Sequence, residues 1–198
     1  MDIIVIFTYT SAIPMKETTI YKYRKAKISD CVPLEELIIQ SSNKINNQFY
    51  SQEVLAAAIG NIWTVDKQLI LDETYWLVEN DKGIIVGCGG WSKRKLLFGS
   101  NTTNNCTPEE LNPKIDPAKI RAFFVHPDHV RKGIGKKLLL ICENEAKESG
   151  FKILELIATL AGEKLYKTCG FHKTKNIQID LGNNICLLYT SPSPRDRG

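Results

Sequence analysis

The stretch with the clearest chemical potential runs from Phe123 to Lys137, where an apolar strand pattern ends and a glycine-rich basic loop opens a helix. The first amide groups of a helix have no carbonyl partner, and the helix dipole favours negative charge beside them. Gly133 and Gly135 lack a Cβ atom, so an anion can approach the backbone closely. This combination predicts a binding site for a phosphate-like group.

Four cations surround the two glycines. Lysine and arginine in a first helical turn are unfavourable by roughly 0.3–1 kcal/mol each, so their cluster favours a bound anion over a solvated basic face. The loop matches neither G-x-x-x-x-G-K-[ST] nor G-x-G-x-x-G, so neither nucleotide fingerprint identifies the ligand. The four cations are Arg131, Lys132, Lys136 and Lys137.

The phenol of Tyr166 is a second candidate group, and it lies in the run Leu165–Phe171 on a short predicted helix. A phenol with a pKa near 10 is able to protonate a departing thiolate. Because a helix tyrosine is more often a core residue, this role depends on the fold bringing Tyr166 to the anion loop.

Length and composition restrict the class of protein. The 198 residues carry 26 Lys+Arg against 22 Asp+Glu, a net charge of +4, and 43% are hydrophobic. These values favour one globular domain and exclude wholesale disorder, and the positive charge is too mild for a dedicated nucleic-acid binder. No stretch approaches the roughly 20 apolar residues of a membrane span, and the N-terminus is a poor signal peptide, so we expect a cytoplasmic protein. The six cysteines show no metal-ligand spacing and are interpreted as free thiols.

Hydrophobic periodicity predicts a mixed α/β domain, because strands and helices alternate in the second half of the chain. Apolar alternation in the first half predicts a strand, two helical regions and a hairpin whose turn contains Asn, Asp and Gly, followed by a long polar loop. The predicted strands are within Ile20–Lys27, Thr74–Glu79, Ile84–Trp91, Ile120–Val125, Lys152–Ile157 and about Thr174–Ile179. The predicted helices begin after Ser29–Asp30 and span Ser51–Leu71, Gly133–Ser149 and Gly162–Thr168, and the loop is Ser92–Lys119.

The segment Ile120–Phe171 resembles the GNAT superfamily of acetyl-CoA-dependent N-acetyltransferases. The resemblance covers the strand before the anion loop, the loop Arg131–Gly135, the helix after it and the Leu165-Tyr166…Gly170-Phe171 motif. Weaker similarity extends back to about Ile20. In combination these motifs are specific, and they imply an α/β fold with a central mixed β-sheet, splayed strands and flanking helices.

The resemblance also implies how acetyl-CoA would bind. Strand backbone would bond the pantetheine arm where two strands splay apart, loop N–H groups would hold the pyrophosphate, and Tyr166 would protonate the coenzyme A thiolate. Thr159 stands where many members have Asn, and its hydroxyl can still bond a water or the pantetheine. The expected cofactor-binding residues are Phe124, Val125, Arg131, Lys132, Gly133, Ile134, Gly135, Lys136, Lys137 and Thr159.

The general base is not evident. An amine must lose a proton before it attacks a thioester, and many family members use a glutamate on the strand before the loop. The strand Ile120–Val125 has no carboxylate, and its Arg121 could pair with an acidic acceptor or with a neighbouring glutamate. Glu79, Glu155 and Asp128 remain as candidates, each more simply explained as a solvated charge or a structural partner.

Aromatic and histidine side chains leave further alternatives open. Trp91, Phe49 and Tyr50 either line an acceptor pocket or fill the core. His126 and His129 form an H-x-x-H pattern, but they lie in a turn with no evident third ligand, so we expect no metal.

These features predict an N-acetyltransferase that moves an acetyl group from acetyl-CoA to a primary amine of a small molecule or protein, by direct attack in a ternary complex. The alternative is a non-catalytic module that senses acyl-CoA, which the missing strand glutamate favours and Tyr166 disfavours. Polyamines, aminoglycosides, amino acids and protein amines all remain possible acceptors. We expect a monomer or homodimer with no nucleic-acid or membrane partner.

Both ends of the chain are expected to lie outside the acetyltransferase domain, which is assigned to residues 20–185. Residues 1–19 are interpreted as an N-terminal extension, with Met15 as an alternative start. The run Cys186–Asp196 resembles the translation of a transposon-type sequencing-library adapter, so residues 186–198 are predicted to be a non-native tail. The alternative is a genuine Ser/Pro-rich tail.

Overall fold

A computed structural model of the protein describes residues 20–95, 108–182, 185–192 and 195–196. The predicted extension over 1–19 and the middle of the predicted loop, residues 96–107, lie outside this part of the chain. The strands are β1 (Lys22–Lys25), β2 (Tyr75–Glu79), β3 (Ile85–Ser92), β4 (Ala118–Val125), β5 (Ile153–Leu156), β6 (Ala158–Thr159), β7 (Lys173–Asp180), β8 (Cys186–Pro192) and β9 (Arg195–Asp196). The helices are α1 (Cys31–Ile45), α2 (Gln52–Ala58), α3 (Lys67–Leu71), α4 (Ile134–Glu148) and α5 (Glu163–Thr168).

The strands form two sheets. The larger has the order β1-β2-β3-β4-β5-β9, and the smaller has the order β6-β8-β7. Neighbours from β1 to β4 are antiparallel, whereas β4 and β5 are parallel because α4 crosses between them. This arrangement confirms the predicted α/β class with a central mixed sheet. In the described part of the chain no helix is long and apolar enough to cross a membrane.

Helices cover both faces of the larger sheet because successive side chains of a strand point to opposite faces. In β2, Leu77 is buried in one hydrophobic cluster with Leu34 of α1, and the next residue, Val78, is buried in another with Leu138 of α4. A Cβ atom on Gly87 of β3 would lie 2.8 Å from the side chain of Ile134, so glycine is needed there for α4 to sit closely on the sheet.

Strands β4 and β5 pair only briefly before they separate. Their register runs from Ala118 opposite Leu154 to Ile120 opposite Leu156. The remainder of β4 continues to Val125 with β3 on one side, while the chain leaving β5 enters β6 of the smaller sheet. The two sheets therefore diverge along one edge of β4.

A β-bulge marks the point of divergence. Phe124 pairs with Cys88, whereas Arg121 pairs with Gly90, so β4 carries one extra residue over this interval. Ala122 lies within the bulge at φ 56°, a left-handed conformation that is unusual for a residue with a side chain. The bulge changes the direction of β4 where the strand loses β5 as a neighbour.

The prediction of one helical region over Ser51–Leu71 is wrong, because the structure has two short helices there. Helix α2 ends at Ala58, and Gly60 adopts φ 81°, which ends the helical path. Asp66 then caps α3 by accepting a hydrogen bond from the N–H of Leu69 at 3.4 Å. The irregular segment between the two helices runs along the edge of the cavity described below.

Strand β8 lies in the middle of the smaller sheet, between β6 and β7. Leu187 and Tyr189 of this strand are buried in the same cluster as the α1 side chains. The indole Nε1 of Trp63 donates a hydrogen bond to the Tyr189 hydroxyl at 2.7 Å. The segment interpreted above as a non-native tail thus supplies a strand and core contacts, and its adapter origin stays a prediction.

Candidate active site

The divergence of β4 and β5 opens a cavity of about 760 Å³. The cavity begins at the loop before α4, follows the open edge of β4 and continues to the end of α1 and the segment between α2 and α3. Most of the predicted site residues line it: Phe124, Val125, Arg131, Gly133, Ile134, Gly135, Lys136, Thr159 and Tyr166. We call the part beside the loop the anion end and the part beside α1 the acceptor end.

Two predicted cofactor-binding residues lie outside this lining. Lys132 is exposed to solvent. Lys137 places its Nζ 4.4 Å from the centre of the Tyr23 ring, and neither residue lines the cavity. Of the four cations in the loop, only Arg131 and Lys136 therefore border the cavity.

The loop before α4 presents backbone amides at the anion end. Gly133 caps the helix in a left-handed conformation, φ 82°, and the N–H of Lys137 is the first to bond to its carbonyl, at 3.0 Å. The N–H groups of Ile134, Gly135 and Lys136 precede that bond and have no helical carbonyl within reach. Three amides at the positive end of a 15-residue helix make a favourable position for an anion.

The two loop glycines have different structural roles. Gly133 supplies a positive φ angle and open space, since an added Cβ would meet nothing within 4 Å. A Cβ on Gly135 would lie 3.0 Å from the side chain of Leu165. Gly135 therefore allows α5 to approach α4, which brings the neighbouring Tyr166 to the cavity.

The open edge of β4 carries backbone groups that the sheet does not use. The N–H of His126 bonds to Val86 of β3 at 2.9 Å. Because alternate residues of a strand direct their backbone groups to opposite edges, the N–H and C=O of Val125 point away from β3, towards the cavity. An extended ligand arm can bond to Val125 in the manner of an added strand.

Tyr166 of α5 lies beside this edge. It is 7% exposed, and its ring contacts those of Phe123 and Phe171 at centroid distances of 6.2 and 6.0 Å. Within the described residues, its hydroxyl has no hydrogen-bond partner. Burial raises the pKa of Tyr166 above its ordinary value, so the phenol keeps its proton at neutral pH.

Thr159 also lines the cavity, and its hydroxyl has a local partner. The N–H of Gly162 donates to Thr159 Oγ1 at 3.3 Å, which tightens the turn that leads into α5. The threonine thus helps to hold the helix that carries Tyr166.

The acceptor end is lined by residues that sequence reasoning did not select as a group. Arg121 of β4 forms an ion pair with Asp66, and the two side chains are 8% and 3% exposed. Burial raises the pKa of Asp66 above its ordinary value, although Arg121 acts in the opposite direction. The other lining residues at this end are Ser41, Lys44, Ile45, Asn46, Gln48, Ile62, Trp63, Thr64 and Tyr189.

The three carboxylates considered from sequence do not border the cavity. Arg24 donates to Glu79 at 2.8 Å, on the strand pair at the sheet edge. Glu155 forms an ion pair with Lys119, and Asp128 is exposed. Among the described residues that line the cavity, Asp66 is the only carboxylate.

The three aromatic residues considered for an acceptor pocket also lie elsewhere. Trp91 donates its indole N–H to Glu145 at 3.0 Å, and Phe49 is 47% exposed to solvent. Tyr50 is buried, and its hydroxyl accepts a hydrogen bond from the N–H of Leu160 at 2.9 Å. The aromatic side chains that line the acceptor end are instead Trp63 and Tyr189, which lie far apart in the sequence.

The histidine pair has local partners. His129 Nδ1 lies 2.9 Å from the Tyr21 hydroxyl, and His126 Nδ1 accepts a hydrogen bond from the N–H of Asp128 at 3.2 Å. Burial lowers the pKa of His129 below its ordinary value, so the ring favours its neutral form. In the part of the chain that the structure describes, no three metal-ligating side chains are grouped together.

Comparison with known proteins agrees with this geometry. The family model of the acetyltransferase (GNAT) domain matches residues 71–173, and the chain belongs to this family of acetyltransferases. No curated protein matches the chain by sequence.

Solved structures share the fold at low sequence identity. A GCN5-related N-acetyltransferase from Rhodopseudomonas palustris has a TM-score of 0.63 and 17% identity, covering 89% of this chain and 95% of its own. PaiA N-acetyltransferase from Thermoplasma acidophilum, in complex with coenzyme A, has a TM-score of 0.59 and 18% identity, with 87% and 99% covered. YncA from Salmonella typhimurium, with its cofactor acetyl-CoA, has a TM-score of 0.57 and 17% identity, with 89% and 93% covered.

Proposed function

We propose that the protein transfers the acetyl group of acetyl-CoA to a primary amine, by direct attack in a ternary complex. The observation that carries this proposal is the single cavity that joins the amides of the α4 loop, the open edge of β4 and the Tyr166 hydroxyl. Two relatives with the same fold were determined with coenzyme A or acetyl-CoA, which supports the choice of acyl donor.

The residues of the cavity fit coenzyme A by charge and by shape. Amides of Ile134, Gly135 and Lys136 suit a pyrophosphate, and the side chains of Arg131 and Lys136 add positive charge at the same end. From Arg121 to Val125 the strand spans about 13 Å at roughly 3.3 Å per residue, so a pantetheine arm bonded at Val125 extends towards the acceptor end.

In this proposal Tyr166 is the acid that protonates the leaving thiolate. When bound, acetyl-CoA supplies a thioester whose C–S bond breaks as the amine nitrogen forms a bond to the carbonyl carbon. Tyr166 gives its phenolic proton to the sulfur, so that the leaving group departs as a neutral thiol rather than as a thiolate. The acceptor end holds the amine on the other side of the thioester.

The proposal is tested by coenzyme A binding and by thiol release with a panel of amines. The panel contains spermidine, an aminoglycoside, glycine and a lysine-containing peptide. We expect Tyr166→Phe to lower kcat about 100-fold while the Kd for coenzyme A changes less than about twofold. Tyr50→Phe removes a buried phenol outside the cavity, so it serves as the matched control and keeps wild-type turnover.

Two results would contradict different parts of the proposal. An unchanged kcat in Tyr166→Phe would show that Tyr166 is not the acid that protonates the leaving thiolate. Tight coenzyme A binding by the wild-type protein with no thiol release for any amine would overturn the transferase and indicate an acyl-CoA sensor.

A further inference from the structure

The family's usual base position on β4 carries no carboxylate in this chain, yet a carboxylate does border the acceptor end. Asp66 reaches the cavity from the segment between α2 and α3, and its carboxylate pairs with Arg121 of β4. Arg121 comes directly before the bulge at Ala122, where β4 leaves β5. Asp66 thus lies beside the stretch of strand at which the thioester would end.

Several contacts hold Asp66 in this position. One carboxylate oxygen faces Arg121, and the other accepts a hydrogen bond from the N–H of Leu69. The preceding segment is tied to α1, because Glu35 accepts hydrogen bonds from the Thr64 hydroxyl and the Val65 N–H, both at 3.0 Å. A base that is fixed before the substrate binds needs no reorganisation during the reaction.

The carboxylate retains the capacity to accept a proton. An ionised carboxylate offers about four lone-pair positions. The contacts to Arg121 and to backbone amides do not fill all of them, so an oxygen of Asp66 can still accept a proton. Its burial makes the charged form less stable than in water, so a proton is held more firmly than by an exposed aspartate. Arg121 acts in the opposite direction, because its positive charge favours the ionised form of the carboxylate.

We propose that Asp66 is the catalytic base that takes a proton from the ammonium group of the acceptor, and that Arg121 is its positioning residue. This inference rests on the proposed acetyl transfer. The N–H bond of the ammonium breaks, the proton moves to an Asp66 oxygen, and the freed electron pair of nitrogen forms the C–N bond. Tyr166 gives its proton to the departing sulfur as the C–S bond breaks, and its phenolate takes up the second proton that the nitrogen loses as the amide forms. Asp66 later returns its proton to water.

The test compares two amines of similar size in the full-length protein. Ethylamine is protonated at neutral pH, whereas 2,2,2-trifluoroethylamine is largely unprotonated and needs less help from a base. Transfer from acetyl-CoA is measured as thiol release at saturating acetyl-CoA. We expect Asp66→Asn to lower kcat for ethylamine about 100-fold and kcat for trifluoroethylamine less than about fivefold.

Asp72→Asn is the matched control. Asp72 is also a nearly buried aspartate paired with an arginine, Arg94, at 2.7 Å, and it lies outside the cavity. This variant should keep the wild-type ratio of the two rates, whatever stability it loses. A double variant, Asp66→Asn with Arg121→Gln, leaves no unpaired buried charge and should show the same selective loss for ethylamine.

The outcomes separate this proposal from the one on which it rests. Equal losses for both amines, or a loss confined to KM, in either folded Asp66 variant would overturn the role of Asp66 as base. If the wild-type protein releases no thiol with any amine, acetyl transfer itself fails and the assignment of Asp66 falls with it.

Discussion

The two ends of the cavity are built in different ways. The anion end comes from one continuous stretch, Phe123–Lys136, and its ligand-facing groups are mainly backbone amides. The acceptor end is assembled from side chains as distant as Ser41 and Tyr189, with an ion pair that joins positions 55 residues apart. One end therefore depends on backbone conformation, whereas the other depends on which side chains the fold brings together.

The two ends should therefore differ in how they respond to substitution. A backbone cradle tolerates changes of side chain provided that its φ and ψ angles are preserved. A wall of side chains changes its shape and charge with each substitution. Variants at the two ends should consequently fail in different ways, and the following four experiments test that contrast.

The largest effect is expected at the acceptor end, in Trp63→Ala. Trp63 is buried, packs edge-to-face against Tyr50 and donates its N–H to Tyr189. Removal of this side chain should lower the free energy of unfolding by about 3–5 kcal/mol, measured by urea denaturation.

A smaller change at the same contact separates packing from hydrogen bonding. Tyr189→Phe keeps the ring but leaves the Trp63 N–H unpaired, so the free energy of unfolding should fall by about 1–3 kcal/mol.

At the anion end, Lys136→Ala should change the free energy of unfolding by less than about 0.5 kcal/mol. Comparable losses at Trp63 and Lys136 would remove the contrast between the two ends.

An intermediate effect is expected in Gly133→Ala, which changes only the backbone preference of the anion end. An alanine at φ 82° costs about 1–2 kcal/mol, and the added methyl group meets no neighbour. If that cost displaces the loop amides, coenzyme A should bind roughly tenfold more weakly by calorimetry, at about 1.4 kcal/mol per factor of ten.

Gly83→Ala provides the control for this substitution. Gly83 has φ 73°, equally open surroundings and a place in the hairpin between β2 and β3, away from the cavity. It should lose similar stability and keep the affinity for coenzyme A. Equal affinity losses at both glycines would show that the effect is global.

The smallest effect is expected from the exposed cations of the loop. Arg131 borders the cavity and Lys132 does not. Arg131→Ala should weaken coenzyme A binding about threefold to tenfold at low salt and less at high salt, because exposed charges are screened. Lys132→Ala should change the affinity less than twofold, and an equal loss in both variants would favour a diffuse basic surface over a defined site.

Local chemistry made much of the anion end predictable. The strand, the basic cluster and Gly133 follow one another directly in the sequence. The local patterns that predict a strand end, a turn and a helix start therefore support one another there. The hairpin turn that contains Gly83 and the left-handed Gly150 after α4 follow from the same kind of local preference. The prediction of one helical region over Ser51–Leu71 was wrong. Gly60 ends the first helix with a positive φ angle and Asp66 caps the start of the second, and these local preferences outweigh the apolar periodicity.

The acceptor end was not predictable in this way. Asp66 has the ordinary signature of an N-cap residue, and no local pattern pairs it with Arg121. Trp63 and Tyr189 have no periodic relation that would mark them as neighbours. Their contact exists because β8 inserts between β6 and β7, which is a consequence of the whole topology.

By itself, the amino-acid sequence determined the α/β class, the anion loop and the resemblance that linked Tyr166 to thiolate protonation. Each of these depends on residues close together in the chain, where short-range geometry and hydrogen bonding act. Tertiary structure alone decided that Asp66 faces the cavity, that Lys137 does not and that Trp63 meets Tyr189. Those contacts depend on how β4 and β5 separate and how the helices pack over them, and burial of apolar surface across the whole domain sets that arrangement.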